Sequence, residues 1–547
     1  MRCHMNSERV SISEQESDYC KRNSIPYPLE SARDRLRAMS MFISRSYLYR
    51  RKCSISGEDI LSDVSPKQPH SRIHDALWSG DSWDPFKYGM AYNFKKTFFE
   101  QFASLNIRVP APALMMVRSS CENSDYCNGI ANCKNCYLCF RIPDGEDCMF
   151  SASSQQCRDI VDCVFAIQSE LCYDCTDICQ CYNLRHSHNC FNCSESAFLH
   201  GCIGCQNCFC CTNLQGAQYA FCNQRLSKEE YLKKIADLNL GSRAIVEHYR
   251  SISKDLNKTS IKRYLVGRNY EDCSGNYIYN SRNVHSSHFV FNSEDIDNCI
   301  WIHNSRNCLM CVAYGLDSEL LYSSVGCGSQ SYNLKFCLDC YAGSRDLEYC
   351  AYCCYGCSNL FGCVSLKRAQ YCIFNKQYTK DEYFDLISRI RNHMRYTGEY
   401  GSFFPKEISP YFYNKADSNV YFPMRRDKAL ALGARWEEDM PQPMTGLVSM
   451  PDSISDIGED ALSRVYRCQE TGKPYRLTSP EIAFYRRNNI APPNLAPATR
   501  LKHIQSVLAV NPPTVLSCSQ CGQKIESCRS EDSSLLVCGS CYADSLG

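Results

Sequence analysis

Residues 132–140 read Asn-Cys-Lys-Asn-Cys-Tyr-Leu-Cys-Phe, and residues 201–211 read Gly-Cys-Ile-Gly-Cys-Gln-Asn-Cys-Phe-Cys-Cys. Cysteine returns at every third position. Stepping by three from Cys121 to Ala220 visits 34 positions, of which seventeen are Cys. The rest are Ser, Ile, Leu, Ala or Gly, and none is charged, amide or aromatic. Cys179, Cys210 and Cys222 fall out of this phase. Three is neither the helix period of 3.6 nor the flat-strand period of 2. It predicts a chain that turns one residue in three toward a narrow interior, as coiled β-solenoids with short faces do. Cys121, Cys139, Cys157, Cys175, Cys193 and Cys211 are spaced by 18. That spacing predicts a coil of about 18 residues, with these six thiols in one structural column and a rod on the order of 27 Å long at the usual strand spacing.

The local order within a triplet is Asn or Asp, then Cys, then often an aromatic. Asn and Asp tolerate left-handed backbone at corners. The aromatics Tyr137, Phe140, Tyr173, Tyr182, Phe191 and Phe209 then point outward, and the expectation is that a second array or a helix covers them.

The chain has 547 residues and 42 cysteines, with 60 Lys plus Arg against 59 Asp plus Glu, a net charge of +1. This balance gives no global attraction to nucleic acid or an acidic membrane. No run approaches 18 apolar residues and the first ten residues carry no apolar core. The expectation is therefore a cytoplasmic chain with reduced thiols and no membrane contact.

Twenty cysteines fall in 121–222 and thirteen in 273–372. The two blocks are copies at an offset of 152: Cys202, Asn207, Cys211, Gln218 and Tyr231 meet Cys354, Asn359, Cys363, Gln370 and Tyr383. In the second block the phase slips near 315, 330 and 342, which predicts bulges or outward loops. Each block is followed by a capping box, Ser227 to Glu230 and Thr379 to Glu382, opening a helix. The chain ends are also copies, at an offset of 465: Glu16, Arg22, Pro28, Arg35, Cys53 and Gly57 meet Glu481, Arg487, Pro493, Arg500, Cys518 and Gly522.

The predicted fold is mostly β: two Cys-lined β-solenoid arrays with closing helices, flanked by duplicated small α+β end modules, the C-terminal one a zinc ribbon. The segments are 1–118 (N-terminal end module, a degenerate ribbon-like copy, and adaptor), 119–225 (first array), 226–265 (helical spacer), 266–375 (second array), 376–465 (closing helix, loop-rich adaptor and flexible linker) and 466–547 (C-terminal end module).

A period of three generates C-x2-C by itself, so that motif is not diagnostic inside the arrays. There the thiols interchange with Ser, Ala, Leu and Ile, which favours packing over metal binding or disulfides. Cys518, Cys521, Cys538 and Cys541 are different: two C-x2-C pairs separated by sixteen residues. Four thiolates complete a tetrahedron, so the expected cofactor is one structural zinc per chain with no open position. Cys528, between the pairs, reads as a free thiol. In the N-terminal copy Ser56 replaces the second ligand; the nearby His70 and His74 read as surface residues.

The stretches WSGDSWDPFKYG (78–89), FFEQFASL (98–105), NCYLCF (135–140), QYCIFNKQYTKDEY (370–383), GSFFPKEISPYFYN (401–414), YFPMRRDKALALGARW (421–436) and CQETGKPYRLTSPEIAFYRR (468–487) resemble a family of Cys-rich repeat and zinc-ribbon proteins of the candidate-phyla-radiation bacteria (Patescibacteria). The resemblance implies a cytosolic repeat protein bearing a zinc ribbon, and no activity.

No phosphate loop, nucleophile elbow, zinc-protease motif or carboxylate pair is present in the sequence, and no catalytic residue is assigned; His186, His188 and His200 offer no basis for choosing one. The expectation is a zinc-binding, non-enzymatic scaffold with a protein partner or self-association. One alternative is nucleic-acid or ribosome association, through Arg33, Arg35 and Arg37, Arg45, Arg50, Arg51 and Lys52, Arg486 and Arg487, and Arg500, Lys502 and His503. The other is metal or redox chemistry on the Cys ladders.

Overall fold

The computed structural model describes residues 12–142, 144–150, 152–157, 164–167, 176–439, 445–529 and 533–545. Its local device is a left-handed corner that recurs in most triplets. Asn132, Asn135, Leu138 and Arg141 have φ of 50°, 54°, 52° and 60°, and Asn189, Asn192, Glu195 and Phe198 repeat the pattern. The next residue in each triplet points inward: Cys133, Cys136, Cys139, Cys190, Cys193, Cys202 and Cys205 are all buried in one core. One face of the coil is therefore three residues long.

Four such faces make a turn. In the first array Asn128, Phe140, Ala152, Val164, Thr176, His188, His200 and Thr212 succeed one another as parallel partners, each twelve residues on. The turn thus holds twelve residues, not the 18 expected. Residues 18 apart are six faces along, on opposite sides of the coil, so the six cysteines do not stack in one column. Cys121 is half-buried and Cys139, Cys193 and Cys211 are buried. Cys157 ends a strand, its side chain outside the described set, and Cys175 lies outside the described residues. Seven steps at the strand spacing give a stack about 34 Å tall.

The second array begins with the same register, Arg282 to Glu294 to Arg306, and then takes one extra residue per turn: Glu319, Tyr332, Arg345 and Ser358 follow at thirteen before Gln370 returns to twelve. A register shift sits at Val312 and Gly315. These are the expected phase slips, with one more turn affected than the sequence suggested. Its interior is Ile, Val and Leu at first and Cys and Leu later.

Left-handed backbone costs a non-glycine residue about 1–2 kcal/mol. Asparagine offsets this along the corners. The amide of Asn280 donates to Asn292 and that of Asn292 to Asn304, both at 3.0 Å, and Asn135 donates to Asp147 at 2.9 Å.

Each array ends in a two-stranded turn and a helix with the expected capping box: Ser227 and Glu230 on Lys228–Ala236, Thr379 and Glu382 on Lys380–Tyr396. A second helix, Arg243–Thr259, follows the first. The outward aromatics are largely covered as expected. Phe209 and Phe221 stack at 5.2 Å beneath Tyr249, and the Arg268 guanidinium lies 3.8 Å over Phe191. Tyr182 stays 45 % exposed, and Tyr173 lies outside the described residues. The chain is strand-rich with a large parallel sheet, but helix (28 %) nearly equals strand (29 %), which is more helix than the expected mostly-β fold has.

The duplicated ends repeat a buried ion pair. Arg35 grips Glu16 through both nitrogens, at 2.6 and 2.8 Å, and Arg500 reaches Glu481 at 3.5 Å, with both glutamates 1 % exposed. Each end sits beside the segment leading into one array and packs on the other array. In the N-terminal module Arg72–Ile73 pairs with Ala111–Pro112 ahead of the first array, while Tyr19 stacks on Tyr322 of the second at 4.6 Å. In the C-terminal module Leu536–Val537 pairs with Lys262–Arg263 ahead of the second array, while Arg500 lies 4.7 Å over Phe150 of the first.

The adaptor is seated, not loose. Tyr411, Tyr413, Tyr421 and Phe422 are buried. Around them Arg45 pairs with Asp339 and Arg141 with Asp417, while Tyr411 donates to Asp63 at 2.9 Å. The stretch expected to be a flexible linker is also tied down within its described part: Asp452 accepts from Ser242 and from the Ala244 N–H at the start of the helix Arg243–Thr259. Among the described residues no helix is long and apolar enough to cross a membrane.

If the corner conformation governs stability, Asn292→Ala should cost about 1–3 kcal/mol, from left-handed strain plus a lost amide bond. Asn292→Gly should cost less, because glycine adopts that backbone freely. Urea unfolding of both variants checks this; equal losses would show that the amide ladder alone matters.

Candidate metal centre

The C-terminal hairpin pairs Thr514–Ser517 with Lys524–Ser527 and turns through Cys518 to Gly522. The Cys518 N–H donates to Gln523 O at 2.8 Å, the Gly522 N–H to Cys518 O at 2.9 Å, and Gly522 takes φ of 76°. That left-handed position is why glycine follows the first ligand pair. The turn aims Cys518 and Cys521 at Cys538, between the strand Leu536–Val537 and the helix Gly539–Ser545, and at Cys541 in that helix.

The four sulfurs lie within 4.8 Å of one another, and Cys521 Sγ stands 3.7 Å from Cys538 Sγ. Four sulfurs each ~2.3 Å from a central zinc stand about 3.8 Å apart, so the set fits a tetrahedral ion. Burial works against ionisation of Cys518, yet the N–H groups of Cys521, Cys538 and Gln520 outweigh it and bring the thiol down to about 6. The Ser540 hydroxyl, 3.1 Å away, holds Cys538 down as well. Cys541 is pushed up to about 12, first by its contact with Cys538. A cation that displaces the remaining protons would be held by four thiolates. Ile525, Leu536 and Val537 back the site as a small core of its own. Among the described residues this is the one group of Cys, His, Asp or Glu able to hold a metal ion. Cys528 is buried outside that group, and burial pushes its thiol up to about 12.

Two further turns share the geometry. Cys53 and Gly57 make the same pair of backbone bonds (2.8 and 2.9 Å), and so do Cys468 and Gly472 (2.9 and 2.9 Å). Ser56 and Thr471 stand where Cys521 stands in the complete site. The Cys468 turn escapes a search for C-x2-C; the shared signal is Cys-x3-Gly. Neither incomplete turn recruits histidine. His70 is buried, not at the surface as expected, and burial followed by Arg72 and Arg435 lowers it to about 3. His74 caps the helix Asp75–Ser79, its Nδ1 accepting the Ala76 N–H at 3.2 Å.

The array thiols are engaged with backbone. Cys193 Sγ accepts the Cys205 N–H and donates toward Phe191 O and Cys202 O, each at 3.4 Å. Ser187 repeats the pattern, accepting the Leu199 N–H at 3.1 Å and donating to Arg185 O at 2.9 Å. This explains why Cys and Ser exchange inside the coil: each is small and both accepts and donates. Burial pushes Cys211 and Cys357 up to about 11 and Cys372 up to about 12. Of the array histidines, His186 stacks on Phe198 and His188 on His200, at 4.8 and 4.9 Å.

Much of the arginine in the basic runs faces inward. Arg35, Arg45 and Arg500 form the buried ion pairs above, Arg33 donates to Val510 O at 2.7 Å, and Arg51 donates to His70 O at 2.8 Å.

No protein-family model, no curated protein and no solved structure matches this chain.

Cys193→Ser should change stability by less than ~1 kcal/mol, because the hydroxyl keeps both hydrogen-bonding roles. Cys193→Leu should cost about 1–3 kcal/mol through overpacking. Metal content should be unchanged in both. Loss of metal together with equal destabilisation would assign the array thiols to a metal ladder instead.

Proposed function

We propose that this chain is a zinc-binding, non-enzymatic interaction scaffold, with two Cys-lined β-solenoids as its presenting surfaces and the C-terminal zinc ribbon as its structural metal site. The observation that carries the reading is the closed set Cys518, Cys521, Cys538 and Cys541, which fills a tetrahedron with protein ligands and leaves zinc no position for substrate. The position of the site supports a structural role: the strand Leu536–Val537 beside it joins the segment leading into the second array. A repeating surface supports the scaffold reading. Asn280, Asn292 and Asn304 form an exposed amide ladder, flanked by Arg282, Glu294 and Arg306. Stacked repeats of this kind offer long, regular contact faces. The reading includes a protein partner or a second copy of the chain on such a face, and a cytoplasmic setting that keeps the thiols reduced. The inward-facing arginines weigh against the nucleic-acid alternative, and the engagement of the buried array thiols with backbone groups weighs against the redox one.

Metal analysis of natively purified protein should find one zinc per chain, and Cys518→Ser should abolish it. Limited proteolysis should then remove the C-terminal module from this variant while the arrays persist, because so small a core does not hold without its ion. Bound iron, several metals per chain, or a protease-resistant C-terminus in the metal-free variant would overturn the reading.

A further inference from the structure

A cleft of about 650 Å³ opens where the first array, the segment leading into the second and the C-terminal module meet. Its charge is one-sided. Lys262, Arg263, Arg268 and Arg529 line it, and among the described lining residues there is no Asp or Glu. The chain as a whole carries 60 basic and 59 acidic side chains, so this separation is local.

The cationic groups are held in place. Arg268 lies over Phe191, its Cζ 3.8 Å from the ring centre, and among the described residues it makes no ion pair, which leaves its N–H groups for a ligand. Arg263 lies 4.8 Å over Tyr270 and donates from Nη1 to Gly267 O at 3.1 Å, while its buried Nε has no partner. Arg529 donates to Arg263 O at 3.3 Å. Between them, His188 and His200 stack at 4.9 Å with their planes 18° apart. Burial, followed by His188 and Lys262, lowers His200 to about 3, as an electropositive enclosure would. A neutral imidazole still donates one N–H.

We propose that this cleft binds a nucleotide-sized phosphorylated small molecule, with its phosphate held by Arg263 and Arg268. A phosphomonoester carries nearly two negative charges at neutral pH and accepts from several N–H groups at once; a carboxylate carries one. Planar guanidiniums fixed on aromatic rings suit that geometry, and the volume lies in the range of small-molecule sites. The proposal is independent of the scaffold reading, because the cleft's cations are not metal ligands.

The test is calorimetry and thermal shift on the full, zinc-loaded chain with AMP, ribose 5-phosphate, inorganic phosphate, adenosine and a single-stranded oligothymidylate. AMP and ribose 5-phosphate should bind and raise the melting temperature, and adenosine should not. Arg268→Gln should weaken AMP binding about tenfold or more, with circular dichroism and zinc content unchanged. Arg263→Lys keeps the charge but loses the fork, and should weaken binding too, so the proposal stays testable if one variant folds poorly. It is overturned if no phosphorylated probe binds at about 5 mM, or if both variants bind AMP like the parent. Inorganic phosphate binding as tightly as AMP would show an adventitious ion only. Oligothymidylate binding tenfold tighter than AMP would make the cleft part of a nucleic-acid groove.

Discussion

The architecture rests on a backbone constraint: one residue in every three adopts left-handed φ. Each such residue turns the chain, and four turns close a circuit of twelve residues, or of thirteen in part of the second array. Non-glycine residues resist this conformation, so isolated triplets have little reason to adopt it. The parallel ladder makes it collective, since each circuit's N–H and C=O groups are met by the circuits above and below. Faces of three residues also leave a very narrow interior. An inward side chain must be small, must tolerate burial and gains by satisfying nearby backbone groups. Cysteine and serine meet all three conditions, and the composition of the chain follows from that.

The duplicated ends add a second level of order. Each contributes a short strand beside the segment leading into one array and a packing contact on the other. A buried Arg–Glu pair holds each module together, bidentate at positions 16 and 35 and through a single nitrogen at 481 and 500. Buried pairs of this sort add little net stability against an apolar replacement, but they punish any arrangement that separates them. The modules thereby favour one relative placement of the arrays over the alternatives that two similar stacks would otherwise offer.

The period of three was legible because inward positions differ in chemistry from their neighbours. The coil length was not. Any multiple of three preserves the side-chain pattern, and each 18-residue step between those thiols spans one and a half circuits. Main-chain pairing sets the circuit, and side-chain identity does not report it. The four clustered cysteines that could hold a metal ion were legible because two C-x2-C pairs at that spacing stand out from the period of three. The turn at Cys468 was obscured because its second ligand position is Thr471. The basic runs were ambiguous for a related reason: in sequence Arg35 and Arg45 look like exposed arginines, and only tertiary structure brings Glu16 and Asp339 to them. The cationic cleft draws on segments near 190, 265 and 530, which no local pattern connects.

The crossed seating of the ends has a consequence for the order of assembly. Glu16 receives the Tyr322 hydroxyl across 306 residues of chain. A ribosome adding about 5–20 residues per second needs roughly 15–60 s to cover that interval. Throughout it the face of the helix Glu14–Asn23 that bears Tyr19 has no second array to cover it. The first array, built from neighbours only twelve residues apart, can meanwhile wind up as it emerges. Local winding is thus fast and final closure late, so the interval before closure is when the nascent chain is most open to mispairing with its neighbours.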